Sequence, residues 1–228
     1  MFFSNLWVAR SRKIIMERLM TMGKQADVHV KILNAQSTDA LMSVYDDWAD
    51  RYETELLDDW GYTSPQMAVT LLSRYCDIDG ANILDAGCGT GLVGELLAGA
   101  GAGGLSGVDY SQGMLDKASE KGVYQSLAKI DLNKEVPIAS ASYDAVTCIG
   151  TFTSTHVVPG ALRELVRLTR SGGVVVFTVR DDYWEATKFV DLLIDLHSER
   201  VVCIEEVRVE PYIHSEGSEC RFVVLRVV

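Results

Sequence analysis

The segment Ile83-Leu84-Asp85-Ala86-Gly87-Cys88-Gly89-Thr90-Gly91 constrains this chain more than any other. A short apolar run enters a turn with glycine at every second position, and a helix-compatible run follows. Glycine reaches left-handed backbone conformations without steric cost and lets another molecule approach the main chain closely. The first turn of a helix leaves N–H groups unpaired, which suits a carboxylate or another anionic group. Strand, glycine turn and helix in this order open an α/β sheet with a ligand site at the strand end.

The rest of the chain repeats the alternation. Residues 81–86, 105–109, 124–130, 143–149 and 173–179 read as strands. Residues 91–101, 111–121 and 159–169 read as helices, with Ser111 as a cap, and 183–197 as one further helix. This pattern predicts a parallel sheet covered on both faces. Two β-rich runs at 201–209 and 221–228, separated by Pro211, Gly217 and Ser218, predict an antiparallel hairpin at the end. Before the sheet, Val44, Tyr45, Trp48, Tyr52 and Leu56 recur at helical spacing and give one aromatic stripe. Ser64-Pro65 then predicts the start of a second helix, with Ser64 as cap.

With 228 residues, 48% of them apolar and 23% charged, one soluble domain with a sizeable core is expected. No apolar run approaches the roughly 20 residues of a membrane span, so no membrane partner is expected. The net charge is -11, although residues 1–26 hold five basic residues and one acid. An acidic body disfavours nucleic-acid partners, whose affinity comes from phosphate neutralisation. Five cysteines without a C-x-x-C, and four scattered histidines, fit reduced thiols and no metal site. The expected location is cytoplasmic; the Arg-rich, acid-poor start resembles a mitochondrial presequence and leaves that alternative open.

Three acids fall at strand ends: Asp85, Asp109 and Asp131. In open α/β sheets ligands bind outside those ends. Asp109, 20 residues past Gly89, is placed to accept from two ribose hydroxyls. Asp131 is placed to accept from an adenine amino group. Gly89-Thr90-Gly91-Leu92-Val93-Gly94 also matches the dinucleotide pattern G-x-G-x-x-G. Three features weigh against a nicotinamide cofactor. Gly87 precedes the pattern, Asp85 sits in the strand end where it can receive an ammonium group, and no Y-x-x-x-K occurs.

Asp85-Ala86-Gly87-Cys88-Gly89-Thr90-Gly91 resembles motif I of the class I S-adenosylmethionine-dependent methyltransferases. Gly107-Val108-Asp109-Tyr110-Ser111, Tyr143-Asp144-Ala145-Val146 and Ser171-Gly172-Gly173 resemble further motifs of that family. Tyr45-Asp46-Asp47-Trp48-Ala49-Asp50-Arg51-Tyr52-Glu53, Trp60-Gly61-Tyr62 and Thr155-His156-Val157 are similar to the methyltransferase-like subfamily of the Williams–Beuren region, over roughly residues 40–228. The resemblance implies a Rossmann-like α/β fold with a seven-stranded, mostly parallel sheet. It implies S-adenosyl-L-methionine as cofactor. Asp85, Gly87, Cys88 and Gly89 would hold its methionine part, Asp109 its ribose, and Tyr110, Asp131 and Leu132 its adenine. Ile149, at a strand end, joins the expected cofactor wall.

The stripe Tyr45, Trp48, Tyr52 has two readings: core packing, or a lid with aromatic faces near the sulfonium. Domain limits follow as 1–36 for a leader and 37–228 for the methyltransferase domain, with residues 37–62 as a helical lid. His156, on the ligand side of the sheet, is the candidate general base, and loop hydrogen bonding or a cofactor contact are its other readings. The expected partner is a small-molecule methyl acceptor with an oxygen, nitrogen or sulfur nucleophile. The sequence leaves the oligomeric state open.

Overall fold

The computed structural model describes residues 28, 30–32 and 34–228 of the chain. The basic stretch and most of the expected leader lie outside the described residues.

Helix α1 runs Thr38–Thr54, capped by the Ser37 hydroxyl accepting from the Ala40 N–H, and passes into a π-helical turn at Glu55–Asp59. Helix α2 follows at Ser64–Tyr75. The expected cap shifts by one residue: Thr63 occupies the cap position, while Ser64 is fully buried inside the first turn beside Pro65.

The alternating part then follows as β1 (Asn82–Ala86), α3 (Leu92–Gly99), β2 (Gly104–Asp109), α4 (Gln112–Glu120) and β3 (Ser126–Lys129). It continues with β4 (Tyr143–Phe152), α5 (Ala161–Leu168), β5 (Thr169–Arg180), α6 (Asp181–Thr187) and α7 (Phe189–Ser198). Strands β6 (Val202–Ile213) and β7 (Ser218–Val227) close the sheet. The seven strands lie in the order β3-β2-β1-β4-β5-β7-β6. Pairings among β1 to β5 are parallel, and β7 runs antiparallel to both β5 and β6. Chain direction reverses its progress across the sheet between β1 and β4, the crevice where such sheets bind ligands.

Burial on both faces explains the valine-rich β5. Val174 and Val176 join a core with Leu71, Leu72, Leu97 and Phe222; Val175, Phe177 and Val179 join another with Leu162, Leu165, Phe189 and Leu225. Alternate residues of a strand point to opposite faces, so a continuous apolar run marks a strand covered twice.

The helix expected over 183–197 is two helices. Lys188 takes a left-handed conformation (φ 49°) between α6 and α7, and the break lets Phe189 stack on Trp184 at 5.7 Å in the core. A lysine at a left-handed joint gives no sequence signal of the kind glycine gives.

Candidate active site

The ends of β1, β2 and β4 and the segment after β3 open onto one cleft, and α1 forms its opposite wall. The cleft has about 700 Å³ of atom-free space, the part open to solvent included. Gly87, Gly89, Asp109, Tyr110, Asp131, Leu132, Ile149 and His156 line it, together with Tyr45 and Tyr52 of α1.

The glycine turn builds the floor. Gly87 has φ 72°, and a Cβ there would collide with the Thr151 side chain. The Gly87 and Cys88 N–H groups donate to the Val108 carbonyl at 2.7 and 3.0 Å, so the turn is pinned to β2. Asp109 locks the pinning from the other side. Its two oxygens accept from the Gly89 and Ser111 N–H groups, each at 2.9 Å. Each oxygen keeps a further lone pair, so the carboxylate can still accept two hydroxyls. Burial raises its pKa above the usual carboxylate value, and the backbone donors oppose that rise.

Beyond Asp109, Tyr110 carries Lys129 and Lys134 above its ring at 5.4 and 5.9 Å. Asp131 accepts from the Asn133 N–H at 3.0 Å and pairs with Lys134 at 3.2 Å. Leu132 and Ile149 are buried apolar wall. Met114, Ile130 and Asn133 complete this end of the cleft and were not singled out in the sequence. Asn133 also has a structural task. Its amide donates to the His156 carbonyl at 2.9 Å and accepts from the Val158 N–H at 2.8 Å, holding the histidine loop.

Three expected cofactor contacts lie behind the wall. Asp85 is 1% exposed and does not line the cleft. Its oxygens accept from the Tyr124 hydroxyl at 2.8 Å and the Thr147 hydroxyl at 3.0 Å. Burial pushes its pKa up to about 6. The third glycine of G-x-G-x-x-G serves this bond: a Cβ on Gly94 would occupy the place of the Tyr124 hydroxyl. Asp85 therefore ties the end of β1 to Tyr124 and to β4, behind the cleft wall where the sequence placed it at an ammonium contact. Cys88 is buried under the turn, and burial raises its thiol pKa well above the ordinary value. Trp48 is 3% exposed; its indole N–H donates to Glu55 at 2.6 Å and its ring packs on Tyr52 and Trp60. For Trp48 the core-packing reading applies, whereas Tyr45 and Tyr52 reach the cleft.

The remaining wall is polar but uncharged. Tyr45 and His156 Nε2 share a 2.6 Å hydrogen bond between α1 and the loop after β4. Nδ1 of His156 bonds the hydroxyls of Thr153 and Thr155. Either tautomer satisfies both nitrogens, because every partner is a hydroxyl that can donate or accept. Burial, with Arg180 nearby, lowers the histidine pKa to about 4. Burial raises the pKa of Tyr45 and Tyr52, so both phenols stay protonated. Gly150 (φ 77°) lies at an irregularity in β4, and a Cβ there would meet the Tyr62 hydroxyl at 2.8 Å.

Residues 84–177 match the family model described as "Methyltransferase domain". That segment, the glycine turn and Asp109 included, is similar to a methyltransferase domain. The chain is 37% identical over 139 residues to methyltransferase-like protein 27 of Homo sapiens, covering 60% of this chain and 56% of that one. It is 31% identical over 119 residues to a ubiquinone biosynthesis O-methyltransferase of Chromobacterium violaceum, covering 49% and 50%. The chain thus spans about half the length of these relatives. An S-adenosylmethionine-dependent methyltransferase from Mesorhizobium loti shares the fold, with TM-score 0.54 and 18% identity over 69% of this chain and 96% of that one.

S-adenosyl-L-methionine is the cofactor that this similarity implies, and the residues present fit it. The side-chain-free Gly87 and Gly89 leave the turn open to an approaching polar group, and Asp109 has acceptor capacity to spare. Leu132, Ile130 and Met114 offer apolar surface to a base, with Asp131 at its edge.

Proposed function

We propose that this protein catalyses transfer of the S-adenosylmethionine methyl group to an oxygen, nitrogen or sulfur nucleophile of a small molecule. One observation carries the reading: the Asp109-locked glycine turn and the uncharged His156–Tyr45 pair line the same cleft. The similarity to a ubiquinone biosynthesis O-methyltransferase of Chromobacterium violaceum and the acidic charge of the chain support a small acceptor.

When bound, the cofactor would supply an electrophilic methyl carbon with its sulfur as the leaving group, held by Asp109 and the Gly87–Gly89 turn. Asp109 and the turn hold one reactant. Tyr45, Tyr52, Thr151 and His156 stand where they can orient the other. Such alignment can supply roughly 7–11 kcal/mol. With a pKa of about 4, His156 is uncharged at neutral pH. Its lone pair is weakly basic, so orientation comes first and proton acceptance second. Helix α1 would also keep water from the cleft, as a lid does.

The test is incubation with methyl-labelled S-adenosylmethionine and panels of small phenols, carboxylic acids, amines and thiols. Release of S-adenosylhomocysteine with label on one acceptor is the expected result. A folded preparation that binds neither form of the cofactor by calorimetry refutes the proposal.

A further inference from the structure

One serine stands between the ribose acid and helix α1. The Ser111 N–H donates to Asp109 at 2.9 Å, and the Ser111 hydroxyl donates to Asp46 of α1 at 2.5 Å. The same hydroxyl accepts from the Met114 N–H at 3.1 Å, capping α4. Asp46 accepts a second bond, from the Gly113 N–H at 2.9 Å. A carboxylate from another element thus sits on the first turn of α4, where unpaired N–H groups and the helix dipole favour negative charge.

The approach is close. A Cβ on Gly113 would lie 2.9 Å from the Asp46 Cα, so no larger residue there admits α1 at this distance. Further along the interface Lys117 pairs with Asp50 at 2.9 Å and Lys121 with Glu53 at 3.1 Å. The Lys117–Asp50 pair lies toward solvent and the Lys121–Glu53 pair is half-buried. Asp46 alone of the α1 acids bonds the residue that also orients Asp109, and its neighbour Tyr45 reaches into the cleft to His156.

We infer that Asp46 is a positioning residue that couples docking of α1 to the ribose-binding conformation of Asp109. The inference rests on the proposed cofactor site and goes beyond it. A cofactor held by Asp109 stabilises the Ser111 turn, the turn holds Asp46, and Asp46 sets α1 over the cleft. By reciprocity, docked α1 raises cofactor affinity by the same factor.

The experiment measures S-adenosylhomocysteine affinity by calorimetry, and amide hydrogen exchange of residues 38–54 with and without that ligand. Wild type, Asp46→Ala, Asp46→Asn, Ser111→Gly and Lys117→Gln are compared. In wild type the ligand should slow exchange in 38–54. Asp46→Ala should lower affinity about tenfold, within the range of coupling between sites, and abolish that slowing while residues 109–113 remain protected at saturation. Asp46→Asn, which keeps one acceptor oxygen, should lie between. Ser111→Gly keeps a tolerated cap residue and should reproduce the alanine effect, with the double variant no worse than either single one. It also serves as the test should Asp46→Ala fail to fold. Lys117→Gln, at a solvent-side pair, should change little. The coupling is overturned if Asp46→Ala binds as wild type does and its 38–54 exchange slows equally. It is also overturned if α1 loosens alike with and without ligand at unchanged affinity, which marks a purely structural role. Absence of ligand uptake by wild type sinks the cofactor reading itself and this coupling with it.

Discussion

Tyr45 of α1 and His156 of the loop after β4, 111 residues apart in sequence, meet at 2.6 Å through the phenol oxygen and Nε2. The bond closes the cleft between the N-terminal helix and the sheet. A charged histidine would find only hydroxyls and a nearby Arg180 there, and burial keeps the ring neutral. The lowered pKa sets the pH behaviour. His156 binds its proton only below about pH 4, so kcat/KM should run flat from pH 5 to 8 as far as this group is concerned. An inflection near 6.5 that vanishes in His156→Gln would show the ring to be more exposed than this. His156→Ala should lower turnover about 10- to 100-fold, the low end of base catalysis, with cofactor affinity within about threefold.

Asp109 gives a sharper expectation. Asp109→Asn keeps one acceptor oxygen for a backbone N–H but loses the charge and one acceptor position. Hydrogen bonds to charged groups contribute about 1.5–3 kcal/mol, so affinity for S-adenosylhomocysteine should fall roughly 10- to 100-fold by calorimetry. An unchanged affinity would remove Asp109 from the ribose site.

Asp85 titrates in the opposite sense to His156. Its folded pKa of about 6 lies above the ordinary carboxylate value. The neutral form is therefore favoured by folding, and stability is lost as pH rises from about 4 through 6. Asp85→Asn has no such loss. Its melting temperature should match wild type at pH 4 and exceed it at pH 8, by roughly 2–4 °C for each kcal/mol recovered. A variant less stable than wild type at pH 8 would mean that the Tyr124 and Thr147 hydroxyls fully compensate the buried charge.

Lys188→Gly tests the joint between α6 and α7. A side chain in the left-handed region costs about 1 kcal/mol that glycine avoids. The substitution should raise the melting temperature by about 2–4 °C in a chain of this size, measured by calorimetric scan. A decrease would show that entropy lost by glycine outweighs the strain.

The sequence was most legible where backbone chemistry is local. The glycine turn, the acid at 109, the Ser111 cap and the alternation into a parallel sheet each follow from residues a few positions apart. Ten of the expected site residues face one cleft for that reason. Legibility ended where partners are distant. Nothing near Asp85 announces that Tyr124, 39 residues on, will bond it from beneath. Trp48 and Tyr45 share one helical stripe, yet Glu55 and Trp60 draw the indole into the core while the phenol reaches the cleft. Asn133 and Thr151 take their importance from the fold of the β4 loop, which carries no local pattern.

The placement of β7 has a consequence for synthesis. This strand follows both β5 and β6 in the chain, yet it lies between them, with Val223, Val224 and Leu225 wholly buried. Until translation has passed residues 218–227, the nascent chain holds the valine-rich side of β5 without its neighbour. An unpaired apolar strand edge is a template for pairing with other chains. Ribosomes stalled before Ser218 should therefore release an aggregating product, whereas a chain extended past Val227 seals that edge with β7.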